Sequence, residues 1–360
     1  MGKVVSVVGA RPNFIKLAAI EPQLSKYFDH VIVHTGQHYD YELSKIFFEN
    51  LKIPEPDYYL GIGSGTHGYQ VGEGIKRIEE LLLKEKPDLV IVYGDTNSTL
   101  AGALAAVKAG FRVAHVEAGL RSYDMRMPEE VNRRVTDHIS WLLFAPTPNA
   151  VKNLMNEKVL GEVHLTGDVH ADMLFKWIKI AEAKSSILHK LQLQLGEYIV
   201  VTVHRAENTD DVTRLTKIAE IIMKASTITK VVFPLHPRTK KALNRLGLLD
   251  KLRRCRNIII TEPLGYLDFI KLLKNSKIVI TDSGGVQREA YLLKIPCLVL
   301  RDRTEWIELV ENGWVKLIDV NIDKAIRLLR NPLVPMKHDS KLLGDGRAGE
   351  KITEIIRKKY

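Results

Sequence analysis

The strongest constraint on the fold is a repeated alternation. Short runs rich in Val and Ile stand between longer stretches of helical periodicity along almost the whole chain. Val4–Val8, Val31–His34, Leu89–Tyr93, Val113–Val116, Leu142–Ala145 and Val163–Thr166 read as strands, with helices such as Ile15–Leu24, Thr66–Lys86 and Thr99–Ala109 between them. Such alternation builds βαβ units and a parallel sheet covered by helices on both faces. A charged, helical, strandless stretch follows at Val169–Leu195, and then the pattern restarts. Tyr198–Val203, Val231–Leu235, Ile258–Thr261, Ile278–Thr281 and Cys297–Leu300 form the second strand set, with helices over Val212–Ala225, Tyr266–Lys274 and Gly285–Leu293. The expected class is α/β, with two Rossmann-like domains facing a cleft. Ligands in such folds sit beyond the carboxyl ends of the strands.

Composition narrows the partners. The 360 residues suit two domains at roughly 100–200 residues each. A formal charge of +10 favours anionic partners, either nucleic acid or phosphorylated small molecules. The charges are scattered, however, and the one basic block is the C-terminal Arg357-Lys358-Lys359. No Lys/Arg cluster is interleaved with aromatics, so nucleic acid is not expected. Cys255 and Cys297 cannot build a disulfide framework or a four-thiolate metal site, which points to a reducing, cytoplasmic setting. No apolar run approaches a membrane span, and no signal-peptide pattern opens the chain. The start does match a myristoylation pattern, but its paired valines read as a buried strand.

Polar residues gather where strands end. In Val8-Gly9-Ala10-Arg11-Pro12-Asn13-Phe14-Ile15-Lys16 a strand ends at Gly9 and a helix begins near Asn13, placing two cations where phosphates bind well. Gly94-Asp95-Thr96 follows the third strand, and Asp95 is either a helix cap or a catalytic acid. His115-Val116-Glu117-Ala118-Gly119-Leu120-Arg121 follows the fourth, and Pro128-Glu129-Glu130-Val131-Asn132-Arg133 opens the next helix. Asp95, Glu117 and Glu129 would gather at one rim, as general acid/base work requires. His115, two residues before Glu117, is read as facing away from it, which disfavours a metal site.

The second half repeats the arrangement. His204-Arg205-Ala206-Glu207-Asn208 follows one strand, and His236-Pro237-Arg238 closes another. His204 is either catalytic or a buried structural histidine. The strongest local signal is Thr281-Asp282-Ser283-Gly284-Gly285, a strand giving way to a helix whose first amides form an anion nest. Glu289, one turn further on, is placed for a ribose diol. Gly63-Ser64-Gly65-Thr66-His67-Gly68 spells a dinucleotide fingerprint, with Asp88 downstream. Pro54 and Pro56 lie just before it, and the first strand has already ended at Gly9. The expectation is a flexible loop capping the next helix.

Taken in order, the motifs at Gly9–Lys16, Gly94–Thr96, His115–Arg121, Pro128–Arg133, His204–Asn208 and Thr281–Gly285 resemble the non-hydrolysing UDP-N-acetylglucosamine 2-epimerase family, from the first strand to about Glu311. The resemblance implies a glycosyltransferase-B-like fold with domains over 1–168 and 169–345, and a last helix, within 346–360, packed back on the N-terminal domain. It implies a homodimer that converts UDP-GlcNAc to UDP-ManNAc with no NAD and no metal, by eliminating UDP and adding it back. Under it, Asp95, Glu117, Glu129 and His204 are the acid/base set. Arg11, Lys16, Ser283, Gly284 and Gly285 cradle the diphosphate, Glu289 meets the ribose and Phe269 the uracil. Two departures stand out. Trp306 follows Glu305 where bacterial members carry Arg, and Tyr41 replaces a Met in the loop after Gln37-His38. Thr304-Glu305-Trp306 and His236-Pro237-Arg238 also resemble the branch acting on UDP-2,3-diacetamido-2,3-dideoxyglucuronate, the alternative substrate.

Overall fold

A computed structural model describes residues 2–37, 53–331 and 338–360. His38 and Tyr41 lie outside the described residues. The chain divides into two compact units, Met1–Met173 with Ser340–Tyr360, and Leu174–Asp339.

The first unit is built on strands β1 (Lys3–Val8), β2 (Asp29–His34), β3 (Tyr58–Tyr59), β4 (Leu89–Tyr93), β5 (Arg112–Val116), β6 (Leu142–Ala145) and β7 (Glu162–Leu165). They pair in the order β3-β2-β1-β4-β5-β6-β7, every pair parallel. Val5, Val7, Val90 and Val92 pack against Ala101 and Ala105 of the helix Asn97–Lys108. Small residues let that helix lie close to the sheet: a Cβ on Gly102 would stand 3.1 Å from Val7 and Val92. The second unit carries β8 (Tyr198–Thr202), β9 (Lys230–Pro234), β10 (Ile258–Thr261), β11 (Ile278–Thr281), β12 (Cys297–Val299) and β13 (Val315–Leu317). Their order is β10-β9-β8-β11-β12-β13, again parallel throughout.

In each sheet the strand order reverses once, between β1 and β4 in the first and between β8 and β11 in the second. Loops leaving the carboxyl ends at such a reversal part to opposite faces and open a crevice. The polar sequence motifs after β1, β4, β8 and β11 sit at these two places.

Two strands escaped the sequence reading. β3 is a two-residue edge between Pro56 and Gly61, and β13 is only Val315-Lys316-Leu317. Neither carries an apolar run, and each exists by pairing with a neighbour. The first helix begins at Arg11 rather than near Asn13, because the Asn13 carboxamide oxygen accepts from the Gly9 and Ala10 amides at 3.2 and 3.0 Å and closes the first turn. The Gly-rich stretch does cap a helix: Thr66 Oγ1 accepts from Tyr69 N at the start of His67–Glu85.

The last helix, Ala348–Arg357, packs on Arg11–Leu24 within the first unit. Asp172 accepts the Ala348 and Gly349 amides at 3.1 and 2.8 Å, clasping its N-terminus. A Cβ on Gly349 would overlap the Ala19 carbonyl oxygen. Gly349→Ala is therefore expected to destabilise the protein by about 1–3 kcal/mol in urea unfolding, the cost of overpacking against backbone. Gly72→Ala, in an exposed helix with nothing within 4 Å, should instead stabilise by about 0.5–1 kcal/mol. Equal effects of the two would contradict the close helix approach.

Candidate functional site

In the first unit the site is organised by the ends of β1, β4 and β5. Lys16, on the helix after β1, reaches Glu117 just past β5, with Nζ 3.0 Å from Oε1. Both side chains are buried. The pair passes Gly94 at the end of β4. That residue has φ +66, and a Cβ there would stand 2.5 Å from Lys16 Nζ. Glycine is thus required for both its conformation and its emptiness. Asn13 locks the same corner by donating to the Tyr93 carbonyl oxygen at 2.7 Å. Arg11 heads this helix, but its side chain lies outside the described part of the chain.

Glu117 itself adopts φ +73, an uncommon conformation for a residue with a side chain. The surroundings hold it there. Its amide and that of Ala118 both donate to the Phe144 carbonyl oxygen at 3.1 and 3.0 Å. Below it, the buried Asp137 accepts from Gly119 N at 3.1 Å and pairs with Arg121 and His115 at 2.7 Å each. Burial alone would push the Asp137 carboxyl up, but His115 and Arg121 outweigh it and hold it below the usual carboxylate range. Strain of this kind persists only where neighbours over-determine it, and it concentrates at functional positions.

The three carboxylates expected at one rim differ in their partners. Asp95 Oδ2 accepts from Arg133 Nε and Nη2 at 3.1 and 2.8 Å. Glu117 faces Lys16. Glu129, half-buried in the first turn of Pro128–Ile139, makes no hydrogen bond or ion pair with another described residue. Its neighbour Glu130 is fully buried and spent on Ser122, the Tyr123 amide and Arg133.

The expectation that His115 faces away from Glu117 rests on a wrong periodicity, since residues two apart on a strand share a face. What occupies His115 is its own bonding: Nδ1 meets Asp137 and Nε2 meets the Gly94 carbonyl oxygen, each at 2.7 Å.

In the second unit the site lies where β8 and β11 end. Asp282, fully buried, accepts the amides of His204 at 3.1 Å and Arg205 at 3.0 Å, and the Asn208 carboxamide at 3.1 Å. It stitches the loop after β8 to the end of β11. His204 Nδ1 lies 3.5 Å from the same carboxylate, and its ring is 5.6 Å from that of His236. Ser283 caps the helix Gly284–Leu292, its hydroxyl accepting from Val286 N. The amides of Gly284 and Gly285 fall in the first turn, where the helix itself supplies no acceptor. Glu289 is buried further along the same helix. Phe269 is half-buried on Tyr266–Lys274, a helix that packs beside it.

The structure thus pairs Lys16 with Glu117 and Asp95 with Arg133 in one unit, and joins the His204 loop to the Ser283 turn through Asp282 in the other. Arg133 and Asp282 had no assigned role in the sequence reading, although both stand inside motifs it singled out. A positional signal was available for Asp282 alone, the first residue past the end of β11; Arg133 lies inside the helix Pro128–Ile139 and offered none. Arg301 also pairs with Glu305 at 3.3 Å, four residues on, and with Glu207 at 2.7 Å, a partner too distant in the chain to leave a sequence signal.

Comparison with known proteins agrees with this picture. The model of the UDP-N-acetylglucosamine 2-epimerase family matches residues 21–357. A UDP-N-acetylglucosamine 2-epimerase homolog from Methanococcus maripaludis is 49% identical over 356 residues, 99% of each chain. The UDP-2,3-diacetamido-2,3-dideoxy-D-glucuronate 2-epimerase of Pseudomonas aeruginosa is 44% identical over 363 residues, also 99% of each. The crystal structure of Methanocaldococcus jannaschii UDP-GlcNAc 2-epimerase in complex with UDP-GlcNAc and UDP superposes with a TM-score of 0.91, at 46% identity and 99% coverage of both chains. Among the described residues no helix is long and apolar enough to cross a membrane. The expected α/β class with two Rossmann-like folds holds, and this chain belongs to the UDP-N-acetylglucosamine 2-epimerase family of enzymes.

Proposed function

We propose that this enzyme interconverts UDP-N-acetylglucosamine and UDP-N-acetylmannosamine by inversion at C2. The observation that carries the reading is the inequality of the three rim carboxylates. The C2 proton lies beside no carbonyl of the ring, so it is not acidic in the resting sugar. It becomes removable as the C1–O bond to UDP breaks. The electron pair of that bond leaves on UDP, the C2 proton passes to a carboxylate, and a C1–C2 double bond forms. Protonation at the other face of C2 and return of UDP to C1 complete the inversion. Such a path needs an ionised base, an acid on the opposite face, and donors for the leaving diphosphate.

The residues suit these parts. Asp95 and Glu117 each sit against a cation, Arg133 and Lys16. Glu129 has no cation beside it among the described residues and is assigned with them to the acid/base set. His204, oriented by Asp282, completes the acid/base set. Lys16 and Arg11 add positive charge, and the Ser283-Gly284-Gly285 turn supplies amides for the diphosphate. Glu289 and Phe269 take the ribose and uracil. The family resemblance implies a homodimer, and the two cysteines suit a cytoplasmic setting. A second reading, the diacetamido-glucuronate substrate, is supported by the Pseudomonas aeruginosa relative and by Thr304-Glu305-Trp306.

Incubation of UDP-GlcNAc with the protein in deuterium oxide, without added NAD or metal, is expected to give UDP-ManNAc carrying deuterium at C2 by proton NMR. Epimer formation with the C2 proton retained would defeat the proposal. Faster turnover of the diacetamido-uronate under the same conditions would select the second reading.

Replacement of Asp95, Glu117 or Glu129 by its amide should lower kcat by roughly 100- to 10,000-fold, while UDP affinity by calorimetry changes only slightly. Glu130→Gln should act chiefly on thermal stability. Near-normal turnover in Glu117→Gln would remove the rim from the mechanism.

A further inference from the structure

Trp306 is 3% exposed, yet its indole nitrogen makes no hydrogen bond to another described residue. The ring is buried while the nitrogen itself is not among the fully buried polar atoms, so the N–H is open to a partner from outside the chain. The nitrogen faces the first turn of the helix Gly284–Leu292, since a Cβ on Gly284 would stand 3.4 Å from Nε1. The ring is fastened to that same helix. The Arg288 guanidinium lies over it at 4.5 Å. The Trp306 amide donates to Thr304 Oγ1 at 3.2 Å, and that hydroxyl donates to Gln287 Oε1 at 2.6 Å. Thr304 and Gln287 are both buried. The indole is therefore held in one orientation, with a neutral, non-titrating donor beside Gly284 in the first turn and the Glu305 carboxylate next to it.

We infer that the Trp306 N–H is a further donor to the diphosphate seated on this turn. The inference rests on the reading that Ser283-Gly284-Gly285 takes the diphosphate. In the elimination step the electron pair of the breaking C1–O bond moves onto the β-phosphate. A preset donor there is worth more as that charge develops. Trp306 thus joins the binding residues, contributing to leaving-group departure without moving a proton.

The test compares UDP with uridine, which lacks phosphates. In calorimetry Trp306→Phe keeps the ring and removes the donor, and is expected to weaken UDP about tenfold, the scale of one charge-assisted hydrogen bond. Uridine affinity by NMR titration should stay within about twofold, and kcat should fall more than KM rises. Unchanged UDP affinity, or equal losses for UDP and uridine, would overturn the assignment. No UDP binding by the unaltered protein would instead defeat the function proposed above.

The unaltered protein gives an independent arm. It has four tryptophans, and Trp141→Phe, Trp177→Phe and Trp314→Phe identify the Trp306 indole signal by elimination. UDP should move that proton signal downfield, whereas uridine should not. A signal indifferent to UDP would overturn the inference even if Trp306→Phe failed to fold.

Discussion

The buried ion pair of Lys16 and Glu117 is the interaction on which the N-terminal site depends. Taking both charges out of water costs several kcal/mol per ion, and their attraction repays this only with close geometry. At 3.0 Å the geometry is met, and it joins the helix after β1 to the turn after β5. The pair also dictates its surroundings. Residue 94 must lack a side chain, because the ammonium occupies that space. Glu117 must turn with positive φ, and the Asp137 network beneath holds the turn. A single missing partner would leave an uncompensated buried charge, so the constraint extends to both strand ends.

The second unit solves the same topological problem differently. Asp282 is buried at the strand-order reversal, but it is satisfied mainly by backbone and carboxamide N–H groups. The exposed chemistry there is a helix N-terminus rather than a carboxylate rim. The first unit thus contributes carboxylates with Lys16 among them, and the second a turn of backbone donors with His204 beside it. Proton transfer needs the first kind of environment and retention of a departing diphosphate needs the second.

Much of this was legible in the residues. Eleven short Val/Ile-rich runs alternating with helical stretches have the length and spacing of buried parallel strands, and polar clusters at their ends pointed to the two candidate sites. Strands that exist through pairing alone, β3 and β13, were not legible. Nor was the difference between Glu129 and Glu130, adjacent acids on one helix. Burial and four donors commit Glu130 to structure, and that distinction exists only in three dimensions. The role of Arg133 was hidden for the same reason: its forked contact with Asp95 spans elements far apart in the chain.

The central claim is that C2 inversion proceeds through cleavage of the bond between C1 and the diphosphate. Positional isotope exchange tests it directly. UDP-GlcNAc carrying oxygen-18 in the bridge between C1 and the β-phosphate is incubated with the enzyme, and the label is followed by phosphorus NMR. The account predicts that the label scrambles into the non-bridging β-phosphate oxygens in step with deuterium entry at C2. Deuterium entry with the label fixed in the bridge would contradict it.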